Sequence, residues 1–211
     1  MYIPKPFAET DRDTLFDLID AHAFGLLMSV EGGVPVGSHI PFVLDRASGE
    51  YGTLQAHVAR ANRQWQGFDG ESEVLCVFSG PHAYVSPGWY DPANPAVPTW
   101  NYAVVHAYGV PRVVDDPAHL RAQQDALVAR FEAGRAEPWS LASQRENYIE
   151  GMLKGIVAFE IPVARLEGKF KLSQNHPEAN RRGAIRGLRD EAGDLGSLAV
   201  AELMAAREGA G

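Results

Sequence analysis

Phe24-Gly25-Leu26-Leu27-Met28-Ser29-Val30 is a short apolar run that stops at Gly32-Gly33, and Val36 to Leu44 resumes on the far side. Two glycines between extended runs signal a hairpin, because the tight turns that join strands need positive φ at their centre. The same pattern repeats outward. An Asp45-to-Glu50 turn precedes the extended run Tyr51 to Val58, and Glu73 to Ser79 and His82 to Ser86 flank Gly80-Pro81. Pro92, Pro95 and Pro98 mark a loop. Asn101 to Val114 is a long β-rich run bent near Gly109 and Pro111, and strand pattern returns at Ile156 to Leu166 and Lys169 to Gln174. Turns, not helices, separate most of these runs. That predicts an antiparallel barrel or sandwich, a mainly β (α+β) fold, over a parallel α/β sheet.

Helices are expected around the strands. Leu15, Phe16, Leu18 and Ile19 recur at helical spacing within Thr10 to His22, with Thr10 as N-cap and Asp13 as its partner. Pro117 to Ala133 reads as a helix with Asp116 as N-cap and Pro117 at the first position, and Gln144 to Leu153 as another. From Glu178 the chain is Ala/Arg/Glu-rich and helical, fraying over Glu208-Gly209-Ala210-Gly211. The expected organisation is one domain over residues 1–176 and a helical extension over 177–211.

Composition bounds the function. The net charge of −8 repels a nucleic-acid backbone unless basic residues gather on one face. Cys76 is the single cysteine, so no intramolecular disulfide can form, which suits a reducing compartment. No signal peptide is evident, and no apolar run approaches the ~20 residues of a membrane helix. The expected setting is the cytoplasm. A dinucleotide fingerprint, P-loop, H-E-x-x-H, C-x-x-C and G-x-S-x-G are all absent from the sequence.

What remains is polar residues set among apolar strands. In Gly168-Lys169-Phe170-Lys171-Leu172-Ser173-Gln174-Asn175, alternation puts Lys169, Lys171, Ser173 and Asn175 on one face, and Phe170, Leu172 and Gln174 on the other. Two ammonium groups and a hydroxyl in a row suit a phosphate monoester; a solvated strand face is the alternative. In Leu54 to Trp65, a strand runs into a helical turn that carries His57, Arg60 and Asn62. Arg60 and the free N–H groups of that turn would form an anion site, against an ordinary helix start with exposed arginines. In Pro98-Thr99-Trp100-Asn101-Tyr102, Trp100 and Tyr102 share a face with an amide beside them. That suits a flat heteroaromatic ring, or core packing. His39, His57, His82 and His106 fall on strands without metal-ligand spacing, so structural roles are expected for them. Arg182, Arg186 and Arg189 share a helical face beside Arg181, but Glu178, Asp190 and Glu191 flank them, which favours a solvated or intersubunit helix over a DNA contact.

Met1-Tyr2-Ile3-Pro4-Lys5-Pro6-Phe7, His57-Val58-Ala59-Arg60-Ala61-Asn62, Gly80 to Pro87, Pro98 to Tyr102 and Lys171-Leu172-Ser173-Gln174-Asn175 together resemble the PaiB family of FMN-binding negative transcriptional regulators. The resemblance runs to about residue 190. It implies an FMN-binding split barrel, a six-stranded antiparallel Greek key that dimerises with flavin at the subunit interface. By the same resemblance the turn after the third strand supplies phosphate ligands, here His57, Arg60 and Asn62. Many flavin split barrels carry Ser or Thr ahead of the cation there, and this chain has Val58-Ala59. Trp100 and Asn101 are implied near the ring, with Lys169, Lys171, Ser173 and Gln174 from the same or the partner subunit. An FMN-dependent oxidoreductase acting on a small molecule, and a haem-binding or haem-degrading barrel using a strand histidine, are the alternative functions. DNA binding is implied by the family alone.

Overall fold

Gly32 and Gly33 turn the chain at φ 57° and 83°, and join β2 (Phe24–Glu31) to β3 (Val34–Pro41) in register from Phe24↔Pro41 to Glu31↔Val34. The computed structural model describes residues 1–94 and 96–208. The expected fraying of 209–211 and the middle proline of the loop, Pro95, lie outside the described residues. The remaining strands are β1 (Ala8–Glu9), β4 (Val43–Asp45), β5 (Thr53–Ala59), β6 (Val74–Val85), β7 (Thr99–Gly109), β8 (Arg112–Val113) and β9 (Ile156–Lys171). The helices are α1 (Arg12–Ala21), α2 (Pro117–Glu132), α3 (Glu146–Leu153), α4 (Glu178–Asp190) and α5 (Leu195–Glu208).

Hydrogen bonding orders the strands β3-β2-β6-β7-β9-β5-β4, with β1 and β8 also paired to β9. The path has ends at β3 and β4, so the sheet is not closed. The fold is the expected antiparallel one, but with nine strands among the described residues where six were expected. Two expected breaks are absent. β6 runs straight through Gly80-Pro81, and β9 through Glu167-Gly168. Both glycines serve close approach instead of turning. A Cβ on Gly80 would lie 3.0 Å from Ala103 O, and one on Gly168 2.2 Å from Leu15 Cδ2. The start of α1 also differs: Asp11, not Thr10, caps it, its carboxylate accepting from Thr14 N at 2.9 Å and Thr14 Oγ1 at 2.6 Å. Asp116 caps α2 as expected, accepting from Ala118 N and His119 N.

The chain groups into two compact units. The first holds Met1–Leu18, Ser79–Val105 and Glu167–Gly211, so residues 177–208 belong to it. Its core includes Phe16, Val85, Phe170, Leu188 and Met204. In it β1 pairs with β9 at Ala8↔Lys169. The α4–α5 pair is bridged by Arg181–Glu208 at 3.1 Å and Arg189–Glu202 at 2.8 Å. The second unit holds Ile19–Phe78 and His106–Leu166. There Leu27, Leu54, Phe159 and Ile161 are fully buried, and Phe42 meets Phe78 edge-on at 5.3 Å. Cys76 is fully buried in this core, and burial pushes its thiol pKa up, which keeps it protonated and inert.

Candidate functional site

Pro98 delivers the chain into β7, where alternation decides what each side chain can do. Trp100 is 54% exposed and Asn101 fully buried. Asn101 Nδ2 donates to Ser173 Oγ at 2.9 Å and meets Met204 Sδ at 3.3 Å, so its amide fastens the strand to the core. Trp100 faces outward with the His82 ring 6.2 Å away and the Tyr84 ring edge-on at 6.3 Å. The expected aromatic wall exists, and His82 and Tyr84 enlarge it.

β9 brings two ammonium groups to the same unit. Lys169 is 9% exposed, with the Tyr2 and Tyr102 ring centres 5.6 and 5.4 Å from its Nζ. Lys171 Nζ donates to Trp100 O at 2.7 Å and to Thr99 Oγ1. Burial, then the neighbouring Lys169 charge, lowers the Lys171 pKa. Lys171 lines a cavity of about 470 Å³ with Val97, Thr99, Ser173, Asn175 and His176. His176 is also held below its ordinary pKa by burial and then by Lys171. Among the described residues no carboxylate pairs with Lys169 or Lys171. The half-buried arginines of this unit are different, since Arg181 and Arg207 each hold a glutamate.

The strand alternation expected beyond Lys171 fails. β9 ends there, and Ser173 takes φ 64°. Gln174 closes the turn, accepting from Leu172 N at 2.7 Å and donating to Phe170 O at 2.5 Å. Gln174 and Asn101 are therefore committed to the backbone and the core. Ser173 is 2% exposed and donates to Asn101 Oδ1, yet it still lines the cavity.

The second unit holds His57, Arg60 and Asn62. The anion site expected at the turn is largely occupied by the protein itself. Arg60 donates from Nε to Lys154 O and from Nη2 to Ile156 O, both at 2.9 Å. Asn62 accepts from Gln64 N at 3.0 Å and donates to Ser38 Oγ at 2.9 Å, which caps the short 3-10 helix Arg63–Gly67. His57 Nδ1 is buried with no partner among the described residues, and burial lowers its pKa. Arg60 also lines a cleft of about 560 Å³ with Trp65, Leu120, Leu153 and Lys154. Sequence reasoning gave no site role to Thr99, His176 or Tyr84, put Asn175 on the Lys169–Lys171 face by alternation alone, and expected only a structural role for His82. His82 and Tyr84 carried a signal, the same i, i+2 spacing as Trp100 and Tyr102.

The donor chemistry of the first unit fits a phosphorylated planar ring: uncompensated cations for the phosphate and an exposed indole for the ring. The sequence profile of the family described as "Putative FMN-binding domain" matches residues 1–165. The chain belongs to this family. FMN is the cofactor that this membership assigns, as the PaiB resemblance implied. The chain is 34% identical over 204 residues to "Protease synthase and sporulation protein PAI 2" of Bacillus subtilis (strain 168), covering 97% of this chain and 96% of that protein. Two solved structures share the split-barrel fold. The FAD and heme binding protein from Mycobacterium smegmatis matches with TM-score 0.58 and 20% identity, over 78% of this chain and 73% of that one. The flavocytochrome Anf3 from Azotobacter vinelandii matches with TM-score 0.57 and 16% identity, over 78% and 69%. Residues 166–211, which include Lys169, Lys171 and the two C-terminal helices, lie beyond the part of the chain that matches the FMN-binding profile.

Proposed function

We propose that the chain is a PaiB-type FMN-binding protein acting as a negative transcriptional regulator in the cytoplasm. Lys171, with Thr99 and Ser173, takes the flavin phosphate, Lys169 adds positive potential, and the ring lies against Trp100. A second copy of the chain covers the exposed Tyr84–Trp100 face and completes the site. One observation carries this reading: Lys169 is buried and Lys171 half-buried, and neither forms an ion pair with a carboxylate among the described residues, in a protein of net charge −8. A buried cation calls for a counter-charge, and a phosphate dianion supplies it through charge-assisted hydrogen bonds. When bound, FMN supplies redox chemistry. The chain itself orients the ring and excludes water from the phosphate. FMN titration followed by flavin fluorescence tests the reading: saturable quenching that K171M weakens supports it, and free elution of flavin on desalting sinks it. A mobility-shift assay across salt concentrations tests the regulatory step.

The second reading is an FMN-dependent oxidoreductase. The exposure of Trp100 and Tyr84, 54% and 46%, favours it, because a ring held there stays open to a small electron donor. Bleaching of the flavin-loaded protein by NADH or NADPH would support this reading.

A further inference from the structure

Trp89 occupies a notch in α4 that only glycine can make. A Cβ on Gly183 would lie 2.0 Å from Trp89 O, and a Cβ on Gly187 2.1 Å from the Trp89 ring. The indole Nε1 donates to Glu191 Oε2 at 2.8 Å. The chain leaving this seat is fastened again at once. Asn180, 1% exposed on the same helix, accepts from Asp91 N at 3.1 Å and from Asn94 Nδ2 at 3.3 Å. Tyr90 packs on the His176 ring at 5.1 Å. Just beyond, Ala96 and Val97 line the cavity that Lys171, Ser173 and His176 also line. A connecting loop with three prolines gains order only where side chains tie it down, and here the ties named run to α4 and its C-cap residue Glu191, apart from the Tyr90–His176 ring contact.

We propose that Trp89, seated between Gly183 and Gly187, is a positioning residue for the Lys171 cavity: α4 holds the Pro87–Asn94 segment so that Ala96 and Val97 keep their place in the cavity lining and limit access to Lys171. α4 lies outside the residues that match the FMN-binding profile. The cavity wall is thus governed by the C-terminal extension, which makes that extension the element through which retention of an anion is set. This rests on the reading of the cavity as the phosphate site only for its consequence; the closure itself is independent of which anion binds.

The test uses the full chain and two readouts. The first is the rate at which a pulse of amine-acylating reagent modifies Lys171, followed by mass spectrometry with Lys5 as an internal reference. W89A and G187A should raise the Lys171 rate about tenfold relative to Lys5, a factor that corresponds to ~1.4 kcal/mol in an opening equilibrium. W89F, which keeps a ring in the notch and loses only the Glu191 bond, should behave as the wild type. The second readout is FMN dissociation by stopped flow, expected to accelerate in W89A and G187A in step with the acylation rates. Unchanged Lys171 acylation in W89A and G187A, both still folded by circular dichroism, overturns the proposal, as does equal acceleration in W89F. If G187A fails to fold, W89A against W89F decides. A wild type that binds no FMN overturns the functional reading instead, and the acylation rates still decide the role of Trp89.

Discussion

The Lys169 ammonium lies 5.4 Å from the centre of the Tyr102 ring and meets no carboxylate among the described residues. Lys171, two residues on, is held by a hydroxyl and a carbonyl. Elsewhere the protein neutralises half-buried cations: Arg207 pairs with Glu9, and Arg130 pairs with Asp20. An uncompensated charge out of water opposes folding and favours binding of an anion. K171M should therefore leave the melting temperature unchanged or raised while weakening FMN binding about tenfold or more, since a hydrogen bond to a charged group contributes ~1.5–3 kcal/mol. Scanning calorimetry and flavin titration on the same preparations check both halves.

Trp100 separates cofactor binding from stability in a second way. Its side chain is exposed and its strand is held by Asn101, so W100A should change stability by no more than ~0.5 kcal/mol. Loss of ring stacking should weaken FMN about three- to tenfold, as expected for ~0.5–1.5 kcal/mol of aromatic contact. Wild-type tryptophan fluorescence should quench on FMN addition, and W100A should lose most of that quench. A quench retained in full places the ring elsewhere.

His22, His57 and His176 are all held below the ordinary histidine value of 6.5, each chiefly by burial. The folded state then binds fewer protons than the unfolded chain between the lowered folded values and 6.5. Stability is therefore fully present above pH 6.5 and falls as pH drops through the folded values. Urea midpoints measured from pH 7.5 to 5 should decline, and H57Q should flatten the decline, because His57 Nδ1 has no partner among the described residues to offset its burial. An H57Q profile that superimposes on the wild type excludes His57 as a contributor.

Gly168 tests why β9 stays continuous. The residue pairs with Glu9, and a Cβ there would fall 2.2 Å from Leu15 Cδ2 and 2.9 Å from Glu9 O. G168A should cost ~1–3 kcal/mol by overpacking. The denaturant midpoint should fall with little change in slope. An equal loss in a G134A control would discredit the steric account, since Gly134 meets nothing within 4 Å and carries only the strain of φ 85°.

The antiparallel class, the helix spans and the Asp116 cap were legible because they depend on neighbours in sequence. Gly32-Gly33 announces its turn locally, and Asp116-Pro117 its helix. Gly80-Pro81 and Gly168 carry the same letters with the opposite meaning, and only Ala103 and Leu15, distant in sequence, decide it. The same divide runs through the site. Strand alternation put Trp100 and Lys171 forward as candidates, and the structure keeps Trp100 exposed and Lys171 in the lining of a cavity. Ser173 and Gln174 were placed by the same alternation, which the left-handed φ of Ser173 ends. Arg60 shows the limit of reading a cation as an anion site: two of its donor nitrogens belong to backbone carbonyls about 95 residues away, in a contact invisible to local pattern.

The arginines of α4 bear on whether the protein touches DNA directly. Arg182 pairs with Glu178, Arg189 with Glu202 and Arg181 with Glu208, which leaves Arg186 as the α4 arginine without an acidic partner among the described residues. A duplex docking on this helix would have to displace glutamates before the arginines could reach its phosphates. Each phosphate neutralised steepens the fall of log affinity with log salt by ~0.9. If α4 neutralises none, R186A and the double variant R182A/R189A should leave both the affinity for a duplex and its salt slope as in the wild type. A slope that becomes shallower by ~0.9 for each arginine removed would put this helix on the phosphate backbone and make the regulatory step a direct one.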